Sequence, residues 1–290
     1  MPVEKETQRN SLRGIILLVI SVSLLGVVDG ISKLLTETLS IGQIMLARYA
    51  MAVPVLLALT PPRTWPGLMS TSRPGLHFVR ALAPPIISCA MILGVRNLPL
   101  ADATAILFAG PFLVVILSNR LLGERVRLAS WIGVVVGFAA VLIVARPGIG
   151  ELSRFTVFPL IGAVFYALFQ LLTRRLGAAG EDPNSMLAWV LAVGLAIGVP
   201  WAAMTWVEVG PVAWLLMAAL GTIFGVAQAL MARAFVYAPA NVLTPFSYTQ
   251  IITAAIFGMV VFGDVPDGMT LLGIAMIICA GAYITIHQSR

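Results

Sequence analysis

The sequence predicts an all-α integral membrane protein with ten transmembrane helices, arranged as two inverted repeats of five helices. Three observations support this fold class. Of the 290 residues, 60% are hydrophobic and 10% are charged, and the mean hydropathy is +1.00. The second half of the chain aligns with the first at a constant offset. The basic residues concentrate in alternate loops.

The ten predicted spans are stretches of about 20 apolar residues, the length needed to cross a hydrocarbon core of about 30 Å at 1.5 Å per residue. The linkers between them are short, which predicts one membrane domain built from two repeats, residues 12–146 and 155–287. The predicted spans are 12–35, 41–60, 75–95, 100–121, 129–146, 155–174, 185–206, 211–233, 239–262 and 269–287.

The internal repeat has an offset of 140 residues late in each half and 141 early in each half. The aligned pairs include Pro99 and Pro239, Thr104 and Thr244, Gly133 and Gly273, Asp29 and Gln170, and Lys33 and Arg174. Each half holds five spans, and five is odd. The second repeat therefore enters the membrane from the opposite side, as in secondary transporters built from inverted repeats.

The distribution of Lys and Arg predicts the orientation. With the spans above, 12 basic residues lie on the side that holds both termini and four lie on the other side. Because cytoplasmic loops carry the excess of Lys and Arg, we expect both termini to be cytoplasmic. The matched loops have diverged accordingly: the loop after span four holds Arg120, Arg125 and Arg127, whereas the loop after span nine holds Asp264 and Asp267.

Several motifs resemble a known family. They are Leu100–Leu107, Gly110–Pro111, Leu122–Arg125 and Trp131–Gly133, with Gly263–Asp264 and Leu272–Gly273 in the second half. This pattern resembles the EamA repeat of the drug/metabolite transporter superfamily. Within it, the chain looks most like the bacterial aromatic amino acid exporters. Residues Asp29–Lys33, Ala47–Tyr49 and Ser72–Pro74 also resemble the S-adenosylmethionine uptake carriers, which is the alternative assignment.

Asp29 and Arg48 are charged residues inside predicted spans one and two. Both lie about 10 Å from the same membrane surface at 1.5 Å per residue, so an ion pair between them is expected. Charged side chains at such depth are costly and need an explanation. Two explanations remain open at this point: a structural lock between the two spans, and a gate or substrate-carboxylate site built on Arg48.

His77 and Arg80 share one face of span three because they are three residues apart. Arg80 lies close enough to the span's end to extend its guanidinium to the interface. An imidazole can change protonation near neutral pH. The resemblance also places a histidine near this point of helix three in the aromatic amino acid exporters. Either a pathway role or a structural role is open for His77.

Span nine contains a polar stripe, and the remaining candidate residues surround it. Pro245 interrupts this span and Pro111 interrupts span four, so each half should hold a kinked helix, where transporters commonly place their binding site. Packing irregularity alone is the other explanation. The predicted pathway residues, besides His77 and Arg80, are Phe108, Tyr166, Gln170, Gln228, Asn241, Thr244, Tyr248 and Gln250.

An enzyme or a channel is less consistent with this sequence. It contains no HExxH, GxSxG or GxxxxGK[ST] motif, and two dissimilar halves offer no pore ring. The predicted function is alternating-access export of neutral or aromatic amino acids across the bacterial inner membrane. No cofactor, metal or nucleic acid is expected. The expected partners are a small-molecule substrate and the bilayer, and the chain is expected to be a monomer or a weak dimer.

The predicted orientation can be tested with single cysteines at positions 124 and 264 of a cysteine-free variant. We expect an impermeant maleimide to label position 264 in intact cells and to label position 124 only after the membrane is broken. A cysteine in the loop at 147–154 should behave like the one at 264. Labelling of position 124 but not of 264 in intact cells would contradict the orientation.

Overall fold

The structure is a computed structural model that describes residues 2–122, 128–146, 151–238 and 243–288. Eight helical segments within these ranges are long and apolar enough to cross a membrane. Two shorter apolar helices, Trp131–Ala145 and Gly268–Ile284, bring the number of apolar segments in the described ranges to ten. The predicted all-α membrane fold is thereby confirmed.

Twelve α-helices make up most of the described residues. They are α1 (Pro2–Leu35), α2 (Ile41–Ala50), α3 (Ala52–Leu59), α4 (Pro74–Val95), α5 (Leu100–Leu107), α6 (Gly110–Leu122), α7 (Leu128–Ala145), α8 (Val157–Ala178), α9 (Pro183–Met204), α10 (Pro211–Tyr237), α11 (Thr249–Phe257) and α12 (Gly268–Gln288). Two 3-10 helices, Pro62–Gly67 and Glu151–Thr156, lie in loops.

Three of these helices begin with a side-chain cap. Ser40 and Gln43 form a capping box before α2, in which the Gln43 backbone N–H donates to Ser40 Oγ at 3.3 Å and the Ser40 backbone N–H donates to Gln43 Oε1 at 3.1 Å. Asp182 accepts from the backbone N–H of Ser185 at the start of α9. Asp267 accepts from the backbone N–H of Thr270 at the start of α12. Such caps satisfy backbone N–H groups that have no partner within the helix.

Successive spans run antiparallel, so the bundle has two ends. We call the end that holds the start of α1 the terminal face; the loops at 60–73 and 179–182 lie there. The other end is called the opposite face, and the loops at 36–40, 96–99, 205–210 and 263–267 lie there. Residues between the two faces belong to the helical part of the bundle.

The helix packing follows the internal repeat. The most extensive contacts join α1 to α10 and α4 to α8. The repeat relates α1 to α8 and α4 to α10, so these two contacts are equivalent. The helices α2 and α9 are equivalent to each other and pack together, as do α7 and α12. Spans four and nine are also equivalent, and they meet where α5 packs against α11. A pseudo-two-fold relationship between the halves therefore holds in the packing as well as in the sequence.

The contacts between α7 and α12 show this symmetry at the level of single residues. Gly133 on α7 packs against Ile284 on α12, and Gly273 on α12 packs against Val144 on α7. The residues in both pairs are related by the 140-residue offset. A Cβ atom at either glycine would collide with the opposing side chain. Small residues at these positions thus allow close approach of the two helices.

Spans four and nine are interrupted at equivalent positions. In span four, α5 ends at Leu107 and α6 begins at Gly110, because Pro111 has no N–H to donate to the carbonyl of Leu107. In span nine, a 3-10 helix at Thr244–Tyr248 precedes α11, and a π-helical turn at Gly258–Phe262 follows it. Phe108 and Tyr248 stand at the two junctions and are 140 residues apart.

Candidate functional site

Asp29 and Arg48 lie side by side in the interior of the bundle. Arg48 Nη2 is 3.6 Å from Asp29 Oδ1, and their side chains are 6% and 9% exposed, respectively. The two residues are brought together because α1 and α2 are joined by a loop of only five residues, 36–40. At 3.6 Å the contact is an ion pair without a short hydrogen bond, so the guanidinium must satisfy its other N–H groups elsewhere.

Two serines accept hydrogen bonds from Arg48. Its Nη2 donates to Ser32 Oγ at 2.7 Å, and its Nη1 donates to Ser88 Oγ at 3.1 Å. Ser32 in turn donates to the carbonyl of Val28 on its own helix. Ser88 is also within 3.1 Å of the Tyr49 hydroxyl. Neither serine was among the predicted residues, although a serine within an apolar span often forms a hydrogen bond to a neighbouring helix.

The cluster around Arg48 draws on five helices. Gln250 on α11 donates to Asp29 Oδ2 at 3.1 Å, and the ring of Phe224 on α10 lies 5.6 Å from the guanidinium carbon. The helices α1, α2, α4, α10 and α11 therefore all contribute a side chain. Arg48 Nε is buried and has no hydrogen-bond partner among the described residues. The arrangement offers one guanidinium with an unsatisfied N–H beside one carboxylate.

A second group is aromatic and lies at the helix junctions. The rings of Phe108 and Tyr248 are 5.2 Å apart and tilted by 44°, within the range of favourable aromatic contacts. Tyr166 packs on Gly110, two residues beyond Phe108, and its hydroxyl accepts a hydrogen bond of 2.9 Å from Gln170. Four of the predicted pathway residues thus gather near the break in span four.

The aromatic group lies next to the Arg48 cluster, and residues at the start of α11 contact both. Tyr248 contacts Phe108, and Gln250, two residues later, contacts Asp29. Two residues advance a helix by about 3–4 Å, so both contacts lie at nearly the same depth. Tyr248 also packs on Gly281 of α12, where a Cβ would overlap the phenol. The position of Tyr248 is therefore set by close contacts from two sides.

His77 and Arg80 belong to a third group, nearer the terminal face. His77 is fully buried, and its Nε2 lies 3.2 Å from Glu181 Oε2. Glu181 also accepts from the hydroxyls of Thr71, at 2.9 Å, and Ser72, at 3.0 Å. The Thr71 hydroxyl, foremost among these donors, holds the pKa of Glu181 below its usual value. Glu181 thereby joins two loops of the terminal face and is charged at neutral pH.

Arg80 is held within the bundle rather than extended to the interface as expected. Its Nε donates to Thr173 Oγ1 at 2.7 Å, and its Nη1 donates to the carbonyl of Met186 at 3.1 Å. The ring of Phe169 lies 4.4 Å from its guanidinium carbon, and the residue is 5% exposed. These contacts stabilise the charge inside the bundle. The guanidinium of Arg80 therefore does not need to extend to the lipid headgroups.

A set of ion pairs joins the helices at the opposite face. Lys33 Nζ is 2.6 Å from Asp264 Oδ2 and donates to the carbonyl of Leu98 at 3.2 Å. Arg146 pairs with Asp267. The Arg146 guanidinium, as a hydrogen-bond donor, holds the pKa of Asp267 well below its usual value. We call these two pairs the polar latch; they tie α1 and α7 to the segment between α11 and α12.

Asp102 contributes to the same end of the bundle. Its Oδ1 accepts a hydrogen bond from the Thr270 hydroxyl of α12 at 3.1 Å. Arg146 Nη2 donates to the same hydroxyl at 3.3 Å. Sequence analysis did not predict the two ion pairs of the polar latch or the partners of Asp102 and Glu181. Each of these contacts joins residues more than 100 positions apart.

Three predicted pathway residues remain outside these groups. Gln228 is half-buried on α10. Asn241 lies outside the described residues, and the same holds for the side chain of Thr244. The structure thus divides the other predicted residues into the Arg48 cluster, the aromatic group and the His77–Glu181 group.

The coupling of Asp29 to Arg48 can be measured with a double-mutant cycle. Each single change, Asp29→Asn or Arg48→Gln, leaves one buried charge without its partner, a loss of about 3–5 kcal/mol for a buried pair. We expect the double variant to recover much of the thermal stability in detergent that either single variant loses. Additive losses would show that the two side chains do not interact in the folded protein.

Comparison with known proteins agrees with this architecture. A solved crystal structure has a TM-score of 0.68 over 98% of both chains, at 17% sequence identity, which supports the fold alone. The riboflavin transporter of Vibrio cholerae is 26% identical over 249 residues, covering 85% of this chain and 83% of that protein.

Two further relatives carry other substrates in their names. The S-adenosylmethionine uptake transporter of Rickettsia bellii is 25% identical over 222 residues, covering 77% of this chain and 76% of the relative. The pseudopaline exporter of Pseudomonas aeruginosa is 27% identical over 272 residues, covering 92% and 94%. These names do not single out the aromatic amino acid exporters. The sequence pattern of the EamA-like transporter family matches residues 12–146 and 155–286, so the chain belongs to this family of membrane transporters.

Proposed function

We propose that this protein is a secondary transporter of the bacterial inner membrane that exports neutral amino acids, aromatic ones in particular, and related small metabolites. Its termini are proposed to be cytoplasmic, so that the terminal face is cytoplasmic and the opposite face periplasmic. The proposal rests on the Arg48 cluster: a guanidinium and a carboxylate lie 3.6 Å apart in the interior. An amino acid zwitterion carries the two complementary charges.

In this proposal the substrate carboxylate binds Arg48 and the substrate ammonium binds Asp29. The Nε of Arg48, which has no hydrogen-bond partner among the described residues, gives the carboxylate a further donor. Charge-assisted hydrogen bonds of this kind are the stronger ones in a low-dielectric interior. The aromatic group at the same depth then provides a surface for an apolar or aromatic side chain.

The alternative is the uptake of S-adenosylmethionine or another nucleoside-like metabolite. The relative from Rickettsia bellii supports it by name, and the buried Asp29 could accept a sulfonium cation. Against it, S-adenosylmethionine carries a sulfonium in addition to its amino acid group, and this second cation would need a further carboxylate or a cage of aromatic rings. In the part of the chain that the structure describes, the Arg48 cluster holds one carboxylate, that of Asp29. The neutral amino acid is therefore the preferred substrate class.

Transport is proposed to proceed by alternating access of the two repeats. The sequence has no nucleotide-binding motif, so the driving force is a solute gradient, with weak proton coupling or none. The polar latch closes the periplasmic side and must separate before substrate leaves. The Gly258–Phe262 π-helical turn and Gly263, whose φ is +71°, lie immediately before Asp264. This short segment can change direction without unwinding α11.

The substrate class can be tested with purified protein in proteoliposomes. We expect uptake of labelled phenylalanine, methionine or threonine, with flux lowered by His77→Ala at an unchanged protein yield. Gly177→Ala is the matched control, because a Cβ at this exposed position meets no other atom within 4 Å. Exchange of S-adenosylmethionine without any amino acid flux would overturn the assignment and favour the alternative.

The role of the polar latch can be tested by replacing Lys33 and Asp264 with cysteines in a cysteine-free variant. A bifunctional thiol reagent whose spacer replaces the length of the lost side chains should link α1 to the segment before α12, since a direct disulfide needs Cα atoms within about 7 Å. The cross-link should stop transport, because the periplasmic exit then stays closed. Reductive cleavage of the cross-link should restore the flux, and the two single-cysteine variants should keep their flux after the same treatment. Full transport by the cross-linked protein would show that this contact persists throughout the transport cycle.

A further inference from the structure

A groove on the outside of the bundle lies between α3 and α10, in the half of the membrane next to the terminal face. Its volume is about 420 Å³. The walls are apolar except for one threonine and one arginine. The lining residues are Met51, Pro54, Val55, Ala58, Leu59, Thr222, Val226, Ala229, Leu230 and Arg233.

The groove originates from the break between α2 and α3. Pro54 has no N–H to donate to the carbonyl of Ala50, so the helix ends at Ala50 and restarts at Ala52. On the α2 side of this break, Gly221 of α10 packs closely against Ala47 and Met51. Beyond it, the groove opens toward lipid, and both Met51 and Leu59 are exposed.

The floor of the groove is closed toward the Arg48 cluster. Gly225 packs against Ala52 and Val55, and a Cβ there would lie 2.9 Å from the Val55 Cβ. Phe224 fills the space behind α10 and contacts Tyr49 edge-on, at 5.8 Å between ring centroids. The groove is therefore an external site and not an entrance for the transported solute.

The dimensions of the groove match one leaflet. Met51 and Leu59 are eight residues apart, which is about 12 Å along a helix, close to half of a hydrocarbon core of about 30 Å. Arg233 is exposed at the terminal-face end. Trp65 follows shortly after Leu59 and donates to the carbonyl of Thr60, as tryptophans do at headgroup level.

We propose that this groove binds one anionic glycerophospholipid from the leaflet at the terminal face. An acyl chain lies along the apolar walls, and the phosphate pairs with Arg233. The lining contains no Asp or Glu to repel the phosphate. Basic pockets between transmembrane helices are suited to anionic headgroups, and a guanidinium binds phosphate oxygens through two parallel N–H donors.

Such a lipid would fill the groove between α3 and α10 and contact both helices. Arg48 precedes α3 by one turn, and Phe224 lies on α10, so both helices also carry parts of the Arg48 cluster. The lipid is thus placed to stabilise the bundle in the arrangement described here. This role does not depend on which solute is transported.

The test uses native mass spectrometry of the delipidated full-length protein with phosphatidylglycerol or phosphatidylcholine of equal chain length. We expect one phosphatidylglycerol to bind in preference to phosphatidylcholine. Arg233→Gln should lower this affinity about fivefold, as expected for the loss of one cation near anionic lipid. Arg175→Gln is the matched control, because Arg175 is exposed in the last turn of α8, away from the groove.

A second variant tests the apolar part of the site. Ala229→Trp places a large ring in the groove and should abolish the preferred binding of phosphatidylglycerol while leaving amino acid flux measurable. If this variant does not fold, Arg233→Gln at an exposed position still decides the question. Equal binding of both lipids, or equal effects of Arg233→Gln and Arg175→Gln, would show only unselective annular lipid and would overturn the proposal.

Discussion

The burial of Arg48 is the constraint on which the arrangement of the first repeat depends. At 3.6 Å from Asp29, the gross attraction is about 5 kcal/mol at an effective dielectric constant of 20. Moving each ion out of water costs several kcal/mol, so the pair alone roughly breaks even. Ser32, Ser88 and Gln250 supply the additional hydrogen bonds that the two charges require. Because these partners come from different helices, hydrogen bonding of the Arg48–Asp29 pair fixes the relative positions of α1, α2, α4 and α11.

The internal repeat explains where the bundle is rigid and where it can bend. The reciprocal contacts of Gly133 with Ile284 and Gly273 with Val144 pack α7 closely against α12, and such packing resists deformation. The helix breaks at Phe108 and Tyr248, by contrast, interrupt the backbone hydrogen bonds of two spans at the same depth. A symmetric scaffold thereby places two helix breaks next to each other, close to the Arg48 cluster.

Much of the fold could be predicted from the sequence, since hydropathy and the repeat depend only on local composition and offset. The proximity of Asp29 to Arg48 followed from equal depth in consecutive spans. The partners of Lys33 and His77 could not be predicted in this way. Asp264 and Glu181 lie in loops more than 100 residues away, and their positions depend on which helices pack together. The burial of Arg80 inside the bundle was not predicted. Its partners Thr173 and Phe169 belong to span six, and the sequence of neither span shows that spans three and six pack together.

The two halves differ where the candidate site lies, although each span of one half has a counterpart in the other. Asp29 aligns with Gln170, and Arg48 aligns with Trp189. The first repeat therefore carries the charged pair, whereas the second carries an amide bonded to Tyr166 and an indole 5.8 Å from the His77 ring. A symmetric pair of charged sites would bind a substrate in two opposite orientations equally well. With the charges confined to one repeat, an amino acid in the proposed site has its polar end directed toward α1 and α2 and its apolar end toward the aromatic group. Divergence of the repeats thus gives the proposed site one orientation.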